Sequence, residues 1–162
     1  NTDESSEKDN SPTIPTDVTT LDKKESDLLT SNTVEARLRD YETYALNPLR
    51  VIEKLLPLME AANSLKRICL ISSHEGSISA GGAAPIGAAM ARAALHMQAK
   101  LLFNDLRRSG YTFRLYDPDQ IMVSIPDRVE ASARFAAGFF TNPHADEERL
   151  VLTGSRGEEW PF

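Results

Sequence analysis

A continuous apolar run, Ile68-Cys-Leu-Ile71, constrains the fold of this chain more than any other stretch. It is followed by a loop of serine, alanine and glycine, and then by a long alanine-rich segment. Apolar residues in a row, without alternation, predict a strand covered on both faces, as in a parallel sheet. Gly76, Gly81 and Gly82 lie in the loop. From about Pro85 the pattern turns helical, with Ile86, Ala89, Ala93, Leu95, Met97, Leu101, Leu102 and Leu106 at mixed three- and four-residue steps. Gly110 stands where a helix-terminating glycine belongs. Tyr111 to Tyr116 reads as a second strand. Strand, helix, strand in that order is a βαβ unit, whose crossover is almost always right-handed.

The flanking segments extend the pattern. Asn32-Thr-Val-Glu35 has capping-box spacing and opens a helix whose apolar stripe is Val34, Leu38, Tyr41, Ala45, Leu49, Ile52, Leu56 and Met59. Pro48 and Pro57 interrupt it, so a kinked helix, or two, is expected, ending near Ala62-Asn63-Ser64. After the second strand come a turn at Asp117-Pro118-Asp119, a helix over Pro126–Phe140, a turn at Asn142-Pro143-His144 and a short strand over Arg149–Thr153. Residues 1–31 hold eight acidic residues against three lysines, −5 of the chain's total −6. They can bury little apolar surface and are expected to be a disordered acidic leader, with Thr16–Leu21 as a short extended piece. The domain is expected over residues 32–162. The fold class is therefore α/β, a Rossmann-like parallel sheet with flanking helices, incomplete at about three strands.

Composition excludes several classes. Residues 32–162 are close to neutral, without the clustered basic face that nucleic acid requires. No apolar run reaches the length of a membrane span. A single cysteine, Cys69, rules out an intrachain disulfide and is expected to be a buried core residue. No His, Cys or carboxylate spacing suggests a metal site. The chain begins at Asn1 with no apolar h-region, which is read as the absence of a signal peptide and as a fragment or processed product, in a cytoplasmic setting.

Ile71-Ser-Ser73, the glycine-containing loop and Gly87-Ala-Ala-Met-Ala-Arg92-Ala-Ala-Leu-His96 together resemble the second half of a short-chain dehydrogenase/reductase. Asn47-Pro-Leu and Leu55-Leu-Pro-Leu58 resemble the family's preceding helix. The ending Gly157-Glu-Glu-Trp160-Pro-Phe162 resembles its carbonyl-reductase-like branch. The likeness spans roughly residues 34–162. It implies an oxidoreductase that moves hydride between a nicotinamide, NAD or NADP, and a small carbonyl or alcohol substrate, and a dimer formed by the two long helices, here 33–62 and 83–109.

The resemblance also assigns positions. Ser73 falls on the substrate-orienting Ser. Arg92 falls on the Lys of the family's Tyr-x-x-x-Lys, and Ala88 on its Tyr, so the phenol that carries the proton is lost. Tyr44 falls on the family's Asn and is a candidate surrogate phenol. Arg92 keeps a cation for a cofactor ribose, although a guanidinium is no substitute for a titratable amine. Pro118 falls in the turn that passes the nicotinamide, with Asp119 replacing that turn's glycine. The family's Gly-x-x-x-Gly-x-Gly turn is missing before residue 76, and Gly76 to Gly82 reads as a loop and not as a phosphate cradle. Tyr44 and His96 also fit plain packing positions, and His74 and Glu75 an exposed loop. No Gly-x-Ser-x-Gly elbow surrounds Ser72 or Ser73. Two functions follow: an oxidoreductase with lost or impaired catalysis, or a non-catalytic dimerising scaffold.

Overall fold

A computed structural model describes residues 33–82, 84–118, 126–143 and 148–162. The expected leader over 1–31, its extended piece, Asp119 and His144 lie outside the described residues. Four strands, β1 (Lys66–Ile71), β2 (Tyr111–Asp117), β3 (Leu152–Gly154) and β4 (Glu159–Trp160), form one sheet in the order β1-β2-β3-β4. β1 pairs with β2 and β2 with β3 in parallel, whereas β4 returns antiparallel on β3. The expected α/β sheet with flanking helices is present. The fourth strand went unseen because two residues carry no alternation. The third strand runs Leu152–Gly154, not Arg149–Thr153.

One face of the sheet carries the main core. Ile68 and Leu70 of β1 and Tyr111, Phe113 and Leu115 of β2 pack with Ile52, Leu95, Ala99 and Phe103 from the helices. The opposite face is covered unevenly. Tyr116 stacks against Phe135 and meets Phe140 edge-on, so the helix over Pro126–Thr141 covers β2. Over β1 that cover stops. Cys69 is exposed and Ile71 is 64% exposed. β1 is thus not buried on both faces, and Cys69 is not a core residue. The strand that has both faces covered is the next one, β2.

Four α-helices surround the sheet: α1 (Val34–Tyr41), α2 (Asn47–Glu60), α3 (Ile86–Leu106) and α4 (Pro126–Thr141). The side chain that caps α1 is that of Thr33, whose oxygen accepts from the Ala36 N–H at 3.2 Å; Asn32 lies outside the described residues. α1 and α2 are joined by a π-helical segment, Glu42–Leu46. The cause is Pro48, which has no N–H to offer the carbonyl four residues back, so the ladder widens ahead of it. Pro57 sits inside α2, which ends at Glu60.

α3 turns a narrow stripe of mostly small residues, Gly87, Ala91, Leu95, Ala99 and Phe103, onto the rest of the chain. Four-residue steps keep that stripe on one face. Met97 and Leu101, expected on the inner stripe, face outward. Beyond α3 a short 3-10 turn, Arg107–Ser109, ends at Gly110 with φ 83°. Among the described residues no helix is long and apolar enough to cross a membrane.

Gly76 lies against α3 so closely that a Cβ there would come within 2.7 Å of the Arg92 carbonyl carbon. Nothing lies within 4 Å of a Cβ added at Gly110, where only the left-handed backbone resists substitution. Gly76→Ala is expected to cost about 2 kcal/mol by forcing the turn off α3. Gly110→Ala should cost about 1 kcal/mol through backbone strain alone. Urea unfolding of the two variants checks the order.

Candidate functional site

The end of β1 gathers the polar side chains. Ser72 continues the strand, donating its N–H to the Tyr116 carbonyl at 2.8 Å. The period-two alternation that sends Ile68 and Leu70 toward α3 sends Ser72 there too, and its hydroxyl meets His96 Nε2 at 2.7 Å. Ser73 caps a one-turn 3-10 helix, His74–Gly76, accepting the Glu75 N–H on its side-chain oxygen at 3.3 Å. β2 ends alongside. Its last residue, Asp117, accepts both the His74 N–H at 2.8 Å and His74 Nδ1 at 2.6 Å on one carboxylate oxygen. The His74 ring stacks on Trp160 of β4, with centroids 4.6 Å apart and planes 19° apart.

A second charged pair closes the other side. Glu75 meets Arg92 of α3 at 2.6 Å, with both side chains less than a fifth exposed. The Arg92 guanidinium also lies over the Tyr44 ring, 4.8 Å from its centroid. Such a pair is charge-assisted and partly shielded from water, so it is stiff. His96 is 4% exposed. Burial pushes it down from 6.5 to about 4, and the nearby Arg92 charge adds to this, while the Gly76 carbonyl and the Asp117 charge pull the other way. The Gly76 carbonyl does not close a bond on His96 Nδ1, which is buried without a partner. At neutral pH His96 is therefore an uncharged partner for Ser72.

The positions named from sequence fall as follows. Tyr44 and Arg92 are in contact, and Arg92 reaches the Ser73 turn through Glu75. Ala88 lies one turn before Arg92 on α3 and is half-buried. Pro118 is half-buried, and its carbonyl accepts the Ser132 hydroxyl at 3.4 Å, which ties it to α4. His74 and Glu75 are not an exposed loop. Each is held by a side-chain partner, His74 by the Asp117 carboxylate and Glu75 by Arg92. The couples His74–Asp117 and Ser72–His96 were not legible as pairs. The signal that could have found them is the parallel pairing itself, which sets the two strand ends, Ser72-Ser-His74 and Asp117, side by side. Among the described residues no group of three or more His, Cys, Asp or Glu could hold a metal ion.

No protein-family model matches the chain. No curated protein sequence matches it either. Solved structures do. An NADPH-bound carbonyl reductase from chicken fatty liver superposes with a TM-score of 0.62 at 19% identity, over 81% of this chain and 59% of that one. A carbonyl reductase from Pseudomonas aeruginosa in complex with NADP gives 0.61 at 15% identity, over 80% and 56%. A protein described as a short-chain alcohol dehydrogenase, from Burkholderia multivorans, gives 0.63 at 20% identity, over 80% and 55%. The chain has the short-chain dehydrogenase/reductase fold. It spans between 55% and 59% of the length of these structures.

A short-chain dehydrogenase/reductase fold implies a nicotinamide dinucleotide, and the described residues do not fit one. Arg92, expected at the family's Lys position, is taken up by Glu75. Gly76, read from the sequence as part of a loop and not of a phosphate cradle, has the α3 backbone where a side chain would be. Glycine is used there for helix packing and not as a cradle.

The site makes one measurable demand on stability. In the unfolded chain His96 protonates near 6.5, but in the folded chain only near 4. Between these values the unfolded state binds more protons. Stability is therefore full above the upper value and falls as pH drops through the window, by up to about 3 kcal/mol. Urea unfolding at neutral pH and near the lower value should show this loss, and His96→Gln should flatten it.

Proposed function

We propose that this chain is a short-chain dehydrogenase/reductase-like protein in which the family's oxidoreductase chemistry is lost or impaired, and whose two long helices serve as a dimerising surface. The observation that carries the reading is the Glu75–Arg92 pair at 2.6 Å, with Ala88 one helical turn away. The cation at the Lys position is neutralised internally, and the Tyr position has no hydroxyl. A proton relay needs a titratable donor beside a charge that tunes it. Tyr44 is a poor surrogate, since its ring face, not its hydroxyl, is what meets Arg92. The domain is taken as 32–162.

The dimer reading is supported by apolar side chains left outside. Val34 and Leu38 of α1 and Met90, Met97 and Leu101 of α3 are each at least 60% exposed. Such a patch on two packed helices suits a symmetric partner. The thiol of Cys69, exposed and outside any intrachain disulfide, suits a reducing, cytoplasmic setting.

A second reading, an NAD(P)-dependent oxidoreductase acting on a carbonyl or alcohol, is favoured by the NADP and NADPH held by the similar carbonyl reductases. Fluorescence or calorimetric titration with NADH and NADPH separates the two. Under the first reading neither nucleotide binds up to millimolar concentration. Micromolar binding of either one would establish the second. For the dimer, Met97→Glu with Leu101→Glu is expected to lower the sedimenting mass from dimer to monomer, while circular dichroism stays unchanged.

A further inference from the structure

We propose that Thr16–Leu21 adds to the sheet as a further strand, parallel to β1 along its open edge, over the groove between β1 and α2. The segment lies ahead of the described residues. The proposal goes beyond the function given above and does not depend on whether the family's chemistry survives.

β1 is the end strand of the sheet, with β2 on one side and no strand on the other among the described residues. Ser72 donates its N–H to the Tyr116 carbonyl of β2, so the Leu70 N–H points to β2 as well, and the Ile71 N–H points to the open edge. A row of edge amides is a template for another strand. Beside that edge lies a groove of about 520 Å³, lined by Val51, Leu55 and Met59 of α2 and by Ile68, Cys69 and Leu70 of β1. Val51 and Leu55 are 55% and 45% exposed. An apolar wall above a hydrogen-bonding edge suits an extended segment whose apolar side chains lie on one face.

Topology names the occupant. Ile52 of α2 and Leu95 of α3 share one core with Ile68 and Leu70, so both helices cover the same face. β1, α3 and β2 make one crossover. A crossover of the same hand through α1 and α2 has to start from a parallel strand on the other side of β1, which is the open edge. Length permits it. Glu60, the end of α2, pairs with Lys66, the start of β1, at 3.0 Å, so the helices run back along β1 and Thr33 lies past its far end. Val34 to Glu60 is a rod of about 40 Å, and the six residues of β1 span about 20 Å. The overhang is about 20 Å, and residues 22–32 reach about 36 Å when extended. Side chains set the register. Thr16 beside Lys66 places Asp17 beside Arg67, Val18 beside Ile68 and Leu21 beside Ile71. Val18 then faces the groove, on the side to which Ile68 and Leu70 point. Asp17 and Thr19 take the opposite face, where Cys69 and Ile71 are exposed, and Asp17 meets the charge of Arg67 there. Pro15 turns the side without an N–H away from β1, as a proline in an edge strand must. The short tether holds the segment near β1 at about millimolar effective concentration, which favours it over the edge of a second copy.

The test is disulfide trapping in the full chain. Thr19→Cys stands beside Cys69 in this register, whereas Val18→Cys points into the groove. Under copper phenanthroline the Thr19→Cys chain is expected to close an intrachain disulfide at least about 10-fold faster than the Val18→Cys chain, read by peptide mapping of the monomer. Equal rates mean that the segment meets Cys69 by random collision, and they overturn the proposal. Disulfides that form between chains give the edge to a second copy and overturn it too. Amide exchange followed by NMR gives an independent result without added cysteine. The Ile71 N–H is expected to be protected. Val18→Asp should speed its exchange about 100-fold, while Thr19→Asp, the same charge on the water side, leaves it unchanged. In both variants the Leu70 N–H, held by β2, reports that the sheet is intact. Ile71 exchange that is fast in the unsubstituted chain, or that responds equally to the two substitutions, overturns the proposal. The nucleotide titration decides the proposed function separately, and neither result bears on the other.

Discussion

The contact on which the rest of the structure depends is the approach of the turn after β1 to the backbone of α3. No side chain fits between them at Gly76. Because the turn lies flat on the helix, Glu75 meets Arg92 and Ser72 meets His96, one helical turn further along. The same placement aims His74 away from α3, toward the end of β2 and its carboxylate. Three polar pairs are thus arranged by one steric fact. A bulkier residue at position 76 would separate all of them at once.

Charge is distributed at this site to different ends. Glu75 and Arg92 cancel each other, with a ring beneath the guanidinium that lowers the cost of leaving water. His96 avoids charge by being buried. His74 meets a buried carboxylate, Asp117, while its own side chain stays partly exposed. In the resembling family a phenol and an ammonium divide the work of holding and moving a proton. Arg92, expected at the ammonium position, is paired with Glu75, and Ala88, expected at the phenol position, carries only a methyl group.

The layered fold was legible because its signals are local. The apolar run of β1, the helical span of α3 and the glycine at 110 each follow from backbone geometry, and all three are found. What the sequence did not show was non-local. Ile68 to Ile71 reads as doubly buried, yet Cys69 and Ile71 lie open because α4 covers β2 instead of β1. The inward stripe of α3 is built of Gly87, Ala91 and Ala99, residues too small to dominate a hydropathy pattern, while the larger Met97 and Leu101 face outward. The positions of Ser73, Ala88 and Arg92 were named by motif. The partners that decide their chemistry, Glu75 and Tyr44, arrive from other elements and depend on helix phase.

Helix phase itself is set at the π-helical segment Glu42–Leu46. In a regular α-helix each residue advances by about 100° around the axis, so removing one residue from this widened turn would restore regular winding and rotate α1 against α2 by about that angle. Pro48 makes the widened form the favoured one. The segment therefore works as a phase shifter. It lets the Tyr44 ring meet Arg92 on α3 while Ile52, further along the same rod, still reaches the sheet core. Along this stretch of chain, a change of length would be felt more sharply than a change of side chain.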